Sequence, residues 1–169
     1  MNEILEVLII TGPCGIGKTT TAIEWAKTKD GARIDCDYLT EWIHQKNFPK
    51  WGPIEEKFVS DLSVVMAFEY LKNGMSVAIE NVWSPKAIEE LRGELFRMRG
   101  LNVKAVRLKC ELEENQKRDA ERIPENQMKE RVGIVAKELD EYKWPSYIHE
   151  IDTTNMSVDE VIQRIESLD

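Results

Sequence analysis

Cysteine and histidine are scarce in this chain. Three cysteines (Cys14, Cys36, Cys110) and two histidines (His44, His149) are spread over 169 residues. No CxxC pair exists, so neither a disulfide scaffold nor a zinc knuckle can be built. Free thiols fit a reducing compartment. Long apolar runs are missing too: none approaches the ~20 residues a membrane helix needs. The opening MNEILEVLII is acidic where a secretory leader is basic. These readings point to a cytoplasmic protein with no membrane partner. Positive charge is short, with 23 basic against 31 acidic residues and a net charge of −8. Residues 121–169 hold most of the deficit, with six basic against twelve acidic. A binder of nucleic acid or anionic lipid normally carries a basic face, so neither is expected as the main partner. Glycine and proline are too few, and the 42% hydrophobic content too high, for a disordered chain. What remains is one folded domain over residues 1–169, working as a monomer or homodimer.

The apolar pattern alternates between two periods. Val7-Leu8-Ile9-Ile10 is a short β-branched run that reads as a strand buried on both faces. Lys18 to Lys29 reads as a helix, and Ala32 to Cys36 as a second strand. Residues 38–73 read as a helical insertion over the sheet edge, with a clear helix from about Ile54 to Leu71. Ser76 to Ile79 is a third strand ending at Glu80-Asn81. Ser84 is an N-cap with Pro85 in the first turn of a helix expected to run to about Arg99. Val103 to Leu108 is a fourth strand. Leu112 opens a helix, Ile123-Pro124-Glu125-Asn126 breaks the pattern, and a helix is expected from Gln127 to Tyr142. Tyr147 to Ile151 is a fifth strand. Ser157-x-x-Glu160 is a capping box for the last helix. Strands alternating with helices from end to end predict an α/β fold with a parallel sheet covered on both faces.

Gly12-Pro13-Cys14-Gly15-Ile16-Gly17-Lys18-Thr19 fits the pattern G-x-x-x-x-G-K-[ST], between the first strand and the first helix. From composition, a chance match in a chain of this length is on the order of one per cent. The residue types explain themselves as phosphate chemistry. Glycines let the backbone wrap an anion where a Cβ would intrude. Successive N–H groups and the helix N-terminus offer partial positive charge. Lys18 would reach the outer phosphates of a nucleotide, and Thr19 would offer its hydroxyl to Mg²⁺. Thr20 follows in the first turn. Cys14 reads as a small neutral filler.

The strand, the loop GPCGIGKTT, the Asp35-Cys36-Asp37 triplet and the paired arginines Arg118 and Arg122 together resemble the small P-loop kinases. That group includes shikimate, gluconate, adenylate and chloramphenicol kinases. The resemblance covers nearly the whole chain in order and spacing, and its specific part is the loop. It implies a three-layer α/β/α fold, a five-stranded parallel sheet of order 2-3-1-4-5 and a mobile lid, here at about residues 119–128. It also implies Mg·ATP as cofactor, transfer of the γ-phosphoryl group to a small-molecule acceptor, and an acceptor site in the insertion at 38–73.

Further residues fall into place around that resemblance. At the end of strand two, Asp35 and Asp37 at i and i+2 would face one cleft. By resemblance Asp37 orients or deprotonates the acceptor hydroxyl, and Asp35 holds Mg²⁺ through water; the other reading is a polar strand end with solvated acids. Glu80 ends strand three where relatives place a metal-side carboxylate; it would reach that place or contact the acceptor, and a helix-side salt bridge is the other reading. Arg118 and Arg122 resemble the R-x-x-x-R of adenylate-type kinases, in which the first stacks on adenine and the second reaches the phosphates. A surface ladder with Glu114 and Glu121 is the plainer alternative. Arg131 is a weaker candidate for the same phosphates, and Thr153-Thr154-Asn155 lies where relatives let backbone contact adenine. Trp42, Phe48, Trp51, Phe58 and Trp83 either line the acceptor site or fill a local core. The chain departs from shikimate kinases: no glycine triplet follows strand three, and no arginine falls between Arg33 and Arg92. Shikimate is therefore not the expected acceptor. Three other readings stand beside the small-molecule kinase: a kinase of 5′-hydroxyl nucleic acid ends, a regulatory nucleotide-binding ATPase with no acceptor, and a purely structural protein whose loop binds nothing.

Overall fold

Val7, Leu8, Ile9 and Ile10 are fully buried, which requires cover on both sides of their strand. The computed structural model describes residues 4–50, 52–98 and 100–168 and supplies that cover. Five strands, β1 (Glu6–Thr11), β2 (Ala32–Asp35), β3 (Val77–Glu80), β4 (Asn102–Lys109) and β5 (Ile148–Asp152), form one sheet of order β2-β3-β1-β4-β5. Every pairing is parallel. The helices are α1 (Lys18–Thr28), α2 (Cys36–Glu41), α3 (Pro53–Lys72), α4 (Pro85–Leu95), α5 (Leu112–Ala120), α6 (Glu130–Asp140) and α7 (Val158–Glu166), with a 3-10 turn at Pro124–Asn126.

Because side chains alternate along a strand, β1 feeds two cores. Val7 and Ile9 join Ile34, Ile79 and Ala105 on the face covered by α3 and α4. Leu8 and Ile10 join Ala78, Val106 and Leu108 on the face covered by α1 and α7. Each fully buried Leu or Ile here is worth roughly 1.5–3 kcal/mol over an exposed one. Trp25 of α1 is fully buried, and its Nε1 donates to Glu166 Oε1 at 2.7 Å, tying α1 to α7.

Helix ends follow the local chemistry. Ser84 Oγ accepts from Ala87 N with Pro85 in the first turn, and Ser157 and Glu160 form a reciprocal capping box. Two helices are shorter than the sequence pattern suggests. Helix α4 stops at Leu95, where Arg97 N and Met98 N turn back to Glu94 O and Leu95 O in a tightened turn. The expected end at Arg99 lies outside the described residues. Helix α6 starts at Glu130 because the Met128 and Lys129 amides are taken by the Asp119 carboxylate. The stretch at 38–73 is not separate from the sheet, since Val59, Val64, Ala67 and Leu71 of α3 belong to the main core. No helix among the described residues is long and apolar enough to cross a membrane.

Candidate functional site

Parallel α/β sheets bind ligands beyond the carboxyl ends of their strands. The glycine loop leaves β1 at that edge and enters α1. Its φ angles are +150° at Gly12, +77° at Gly15 and +100° at Gly17. A Cβ on Gly12 would lie 2.7 Å from Leu108 O, so the loop sits directly on the end of β4. A Cβ on Gly15 would lie 3.3 Å from Asn115 Oδ1 and 3.4 Å from Asp119 Cβ, so α5 packs on the other shoulder. Ile16 anchors the loop in the core at 2% exposure, while Thr19 and Thr20 stay exposed. Pro13 is buried and Cys14 is a half-buried free thiol.

Lys18 folds back across this loop, its Nζ donating to Gly12 O at 3.1 Å and Pro13 O at 3.0 Å. Burial lowers its pKa, against the opposing pull of Cys14, Glu80 and Asp37; the Arg122 charge adds to the lowering. Thus Glu80, Asp37 and Arg122 all act electrically on the lysine amine. Thr19 Oγ1 donates to Glu80 Oε2 at 2.9 Å. Glu80 is buried at the end of β3, and burial raises its pKa, with Lys18, Arg33 and the Thr19 hydroxyl pulling it back down.

The Asp35-Cys36-Asp37 triplet departs from the expected geometry. The strand ends at Asp35 and Cys36 already belongs to α2, so Asp35 and Asp37 do not share a strand face. Asp35 is the N-cap of α2: its Oδ1 accepts from Asp37 N at 3.1 Å, and its Oδ2 is held by Arg33 Nη2. An aspartate that can cap its own chain two residues on favours a helix start over another strand residue. Asp37 is exposed in the first turn of α2.

On the other side of the loop, Arg118 donates to Glu114 Oε1, to Thr153 Oγ1 and O, and to Thr154 O, at 2.8–3.2 Å. It walls a cavity of about 260 Å³ with Ile16, Gly17, Thr20, Met156 and Val161. Thr153 is fixed in turn by its N–H and hydroxyl on Lys109 O. Arg122 Nη1 lies 3.3 Å from Asp119 Oδ1. A larger cavity of about 550 Å³ lies away from the loop, against β4 and β5. Arg107 pairs there with Asp140 and Glu150 and lies 4.7 Å from the centre of the Trp144 ring, while its buried Nε has no partner among the described residues.

The aromatic residues divide. Trp83 is fully buried in the core, and Phe48 meets Phe58 edge to face at 5.3 Å. Trp42 is 73% exposed, and Tyr38 beside Asp37 is exposed as well. Trp51 lies outside the described residues.

Three groups escape a reading of the sequence pattern. Arg33 bridges Asp35 and Glu80, donating from Nε to Glu80 Oε1 at 2.9 Å; its i, i+2 spacing from Asp35 was the signal. Buried Asp119 takes the Met128 and Lys129 amides and Arg122. Glu56 of α3 accepts from Ser84 N at 2.6 Å and Ser84 Oγ at 2.8 Å, tying α3 to the start of α4. Asp119's only local signal is its i, i+3 spacing from Arg122, and Glu56 carries none.

Among the described residues no group of three or more His, Cys, Asp or Glu side chains forms a metal cage. A hydroxyl and one carboxylate at the mouth of a phosphate loop nevertheless suit Mg²⁺, which keeps waters and takes oxygens from substrate phosphates. The glycine cradle, the lysine folded over it and the Thr19–Glu80 contact therefore fit a magnesium nucleotide.

No family model matches this sequence, and no curated protein does. Solved structures do. The chain is similar to the tunicamycin resistance protein of Deinococcus radiodurans, at 20% identity and TM-score 0.69, over 96% of this chain and 94% of that one. It is similar to the Mycobacterium tuberculosis APS kinase CysC in complex with AMPPNP and APS, at 15% identity and TM-score 0.67, over 96% and 95%. It is also similar to a gluconokinase from Sinorhizobium meliloti 1021, at 14% identity and TM-score 0.63, over 96% and 90%. At such identities the likeness is one of fold: this chain has the five-stranded α/β/α fold of the small P-loop kinases.

Proposed function

We propose that the protein is an ATP-dependent phosphotransferase that moves the γ-phosphoryl group of Mg·ATP to a hydroxyl or phosphate of a small molecule. The observation that carries this reading is the Thr19 hydroxyl on the buried Glu80 carboxylate, at the mouth of a glycine loop crossed by Lys18. Bound Mg·ATP supplies the transferable group and neutralises part of its charge. Thr19 and Glu80 would hold the metal side. Asp35, with both oxygens engaged, would act on that site through Arg33. Lys18 would exchange two loop carbonyls for phosphate oxygens.

Arg118 presents a planar cation on the wall of the small cavity, which suits stacking against a base. Arg122, 41% exposed in its side chain, would bring charge toward Lys18 from the proposed lid. Asp37 would orient the acceptor hydroxyl and take its proton. The acceptor would enter beside α2, where Tyr38 and Trp42 lie open. Rate acceleration would come from positioning and from charge already in place.

The test is ADP release from Mg·ATP with pooled acceptors: sugar acids, nucleosides and nucleotides, hydroxylated antibiotics, and 5′-hydroxyl oligonucleotides. One pool should raise the rate, and Lys18→Ala should lower that rate at least ~100-fold, the scale seen when a preorganised charge is removed. Its fold should persist, because Lys18 bonds only its own loop among the described residues. Near-wild-type turnover by Lys18→Ala would sink the assignment. Slow hydrolysis that no pool changes would favour a regulatory ATPase.

A further inference from the structure

Asp35 and Glu80 are register partners on adjacent parallel strands, so their side chains leave the same face of the sheet side by side. Two ionised carboxylates so placed repel, and one of them, Glu80, is only 4% exposed. Such a pair requires a cation, and the chain supplies one from within. Arg33, two residues before Asp35 on the same strand face, spans both acids: Nε to Glu80 Oε1 at 2.9 Å and Nη2 to Asp35 Oδ2. The remaining Glu80 oxygen faces the Thr19 hydroxyl at 2.9 Å. A guanidinium is planar and permanently charged, so it fixes the direction of the carboxylate as well as its charge.

We propose that Arg33 is a positioning residue that serves as the resident counter-cation of the Asp35–Glu80 pair, closing the pair to free divalent metal and holding Glu80 on Thr19. The metal then enters only when nucleotide phosphates bring further negative charge and further oxygens. This rests on Thr19 and Glu80 being the metal-side groups of the proposed kinase.

The experiment is an Mn²⁺ titration of the nucleotide-free chain, read by the loss of the free-ion electron paramagnetic resonance signal. Wild type should show no Mn²⁺ site tighter than millimolar. Arg33→Met and Arg33→Gln should each gain one site bound about tenfold or more tighter, because a nearby positive charge is gone. Arg33→Gln keeps a hydrogen bond to Glu80 and guards against misfolding of the methionine variant. Arg33→Lys restores the charge and should bind Mn²⁺ as weakly as wild type. Tight Mn²⁺ binding by nucleotide-free wild type would overturn the proposal, as would a folded neutral variant with no gain. A parallel titration with ATP present separates the two readings. If wild type fails to retain Mn·ATP, the kinase reading falls, whatever the Arg33 variants do without nucleotide.

Discussion

Replacing Asp119 with alanine should loosen the segment that carries Arg122. Asp119 is 3% exposed, and its carboxylate accepts from Met128 N at 2.9 Å, from Lys129 N at 2.8 Å and from Arg122 Nη1 at 3.3 Å. Hydrogen bonds to an ionised acceptor are worth roughly 1.5–3 kcal/mol each. The two amides are only part-buried and regain water when the acceptor goes, which places each at the bottom of that range. The two together give a loss of about 3 kcal/mol. In a domain of this size that is roughly 6–12 °C in melting temperature. Thermal unfolding by circular dichroism measures the total, and amide hydrogen exchange at Met128 and Lys129 measures the local part. Asp119→Asn keeps one acceptor oxygen and should lose about half as much. Burial pushes the Asp119 pKa up, but the two amides and Arg122 outweigh it and hold the carboxyl below its ordinary 3.8. A depressed acid stabilises the fold above its unfolded pKa and stops doing so as pH falls through the folded value. The gap between the alanine variant and wild type should therefore begin to close as pH falls below 3.8, where the unfolded acid takes up its proton first. A melting temperature within about 2 °C of wild type at neutral pH, with unchanged exchange at both amides, would refute this reasoning.

Three further perturbations test other joints. Gly12→Ala should cost more stability than Gly17→Ala. The first drives a Cβ to 2.7 Å from the Leu108 carbonyl, whereas the second meets only the left-handed strain of about 1–2 kcal/mol; paired urea titrations compare them. Glu56→Ala removes the acceptor of Ser84 N and Oγ and should cost about 1–3 kcal/mol; in the proposed enzyme it should raise the acceptor KM more than the ATP KM. Arg107→Met leaves Asp140 and Glu150 without their shared cation and removes the stack on Trp144. It should shift tryptophan emission and, because both carboxylates are largely open to water, destabilise by only about 1–2 kcal/mol, while an unshifted spectrum would contradict the stack.

Where local chemistry decides structure, the sequence was readable. The β-branched run before the glycine loop could only be a strand covered on both faces, and Ser84-Pro85 and Ser157-x-x-Glu160 mark helix starts by hydrogen bonds that close within a few residues. The strand order was reached through resemblance to kinases and agrees with the structure. The end of β2 differs from the sequence expectation because an aspartate alternating with another reads equally as strand end or helix cap, and only the Arg33 contact and the Asp37 amide decide between them. Asp119 is legible only in part: Arg122 lies at helical spacing three residues on, but the Met128 and Lys129 amides lie nine and ten residues onward, beyond any helical spacing. Arg33 was legible in part: its parity with Asp35 put it on the right face, but its reach to Glu80 depends on strand register, which no single segment encodes.

The sharing of α3 with the main core bears on how this scaffold can be re-engineered. Val59, Val64, Ala67 and Leu71 pack with Ile34 and Ile79, so exchanging the whole stretch from 38 to 73 for a homologous one would transplant part of the foundation. The connector from 42 to 52 is different. None of its described residues is buried, and it is bounded by α2 on one side and α3 on the other. Libraries confined to that connector can change length and chemistry beside Asp37 while the foundation stays untouched. If the proposed acceptor site is right, selection for new acceptors belongs there, and loss of expression in such a library would report on the graft rather than on the scaffold.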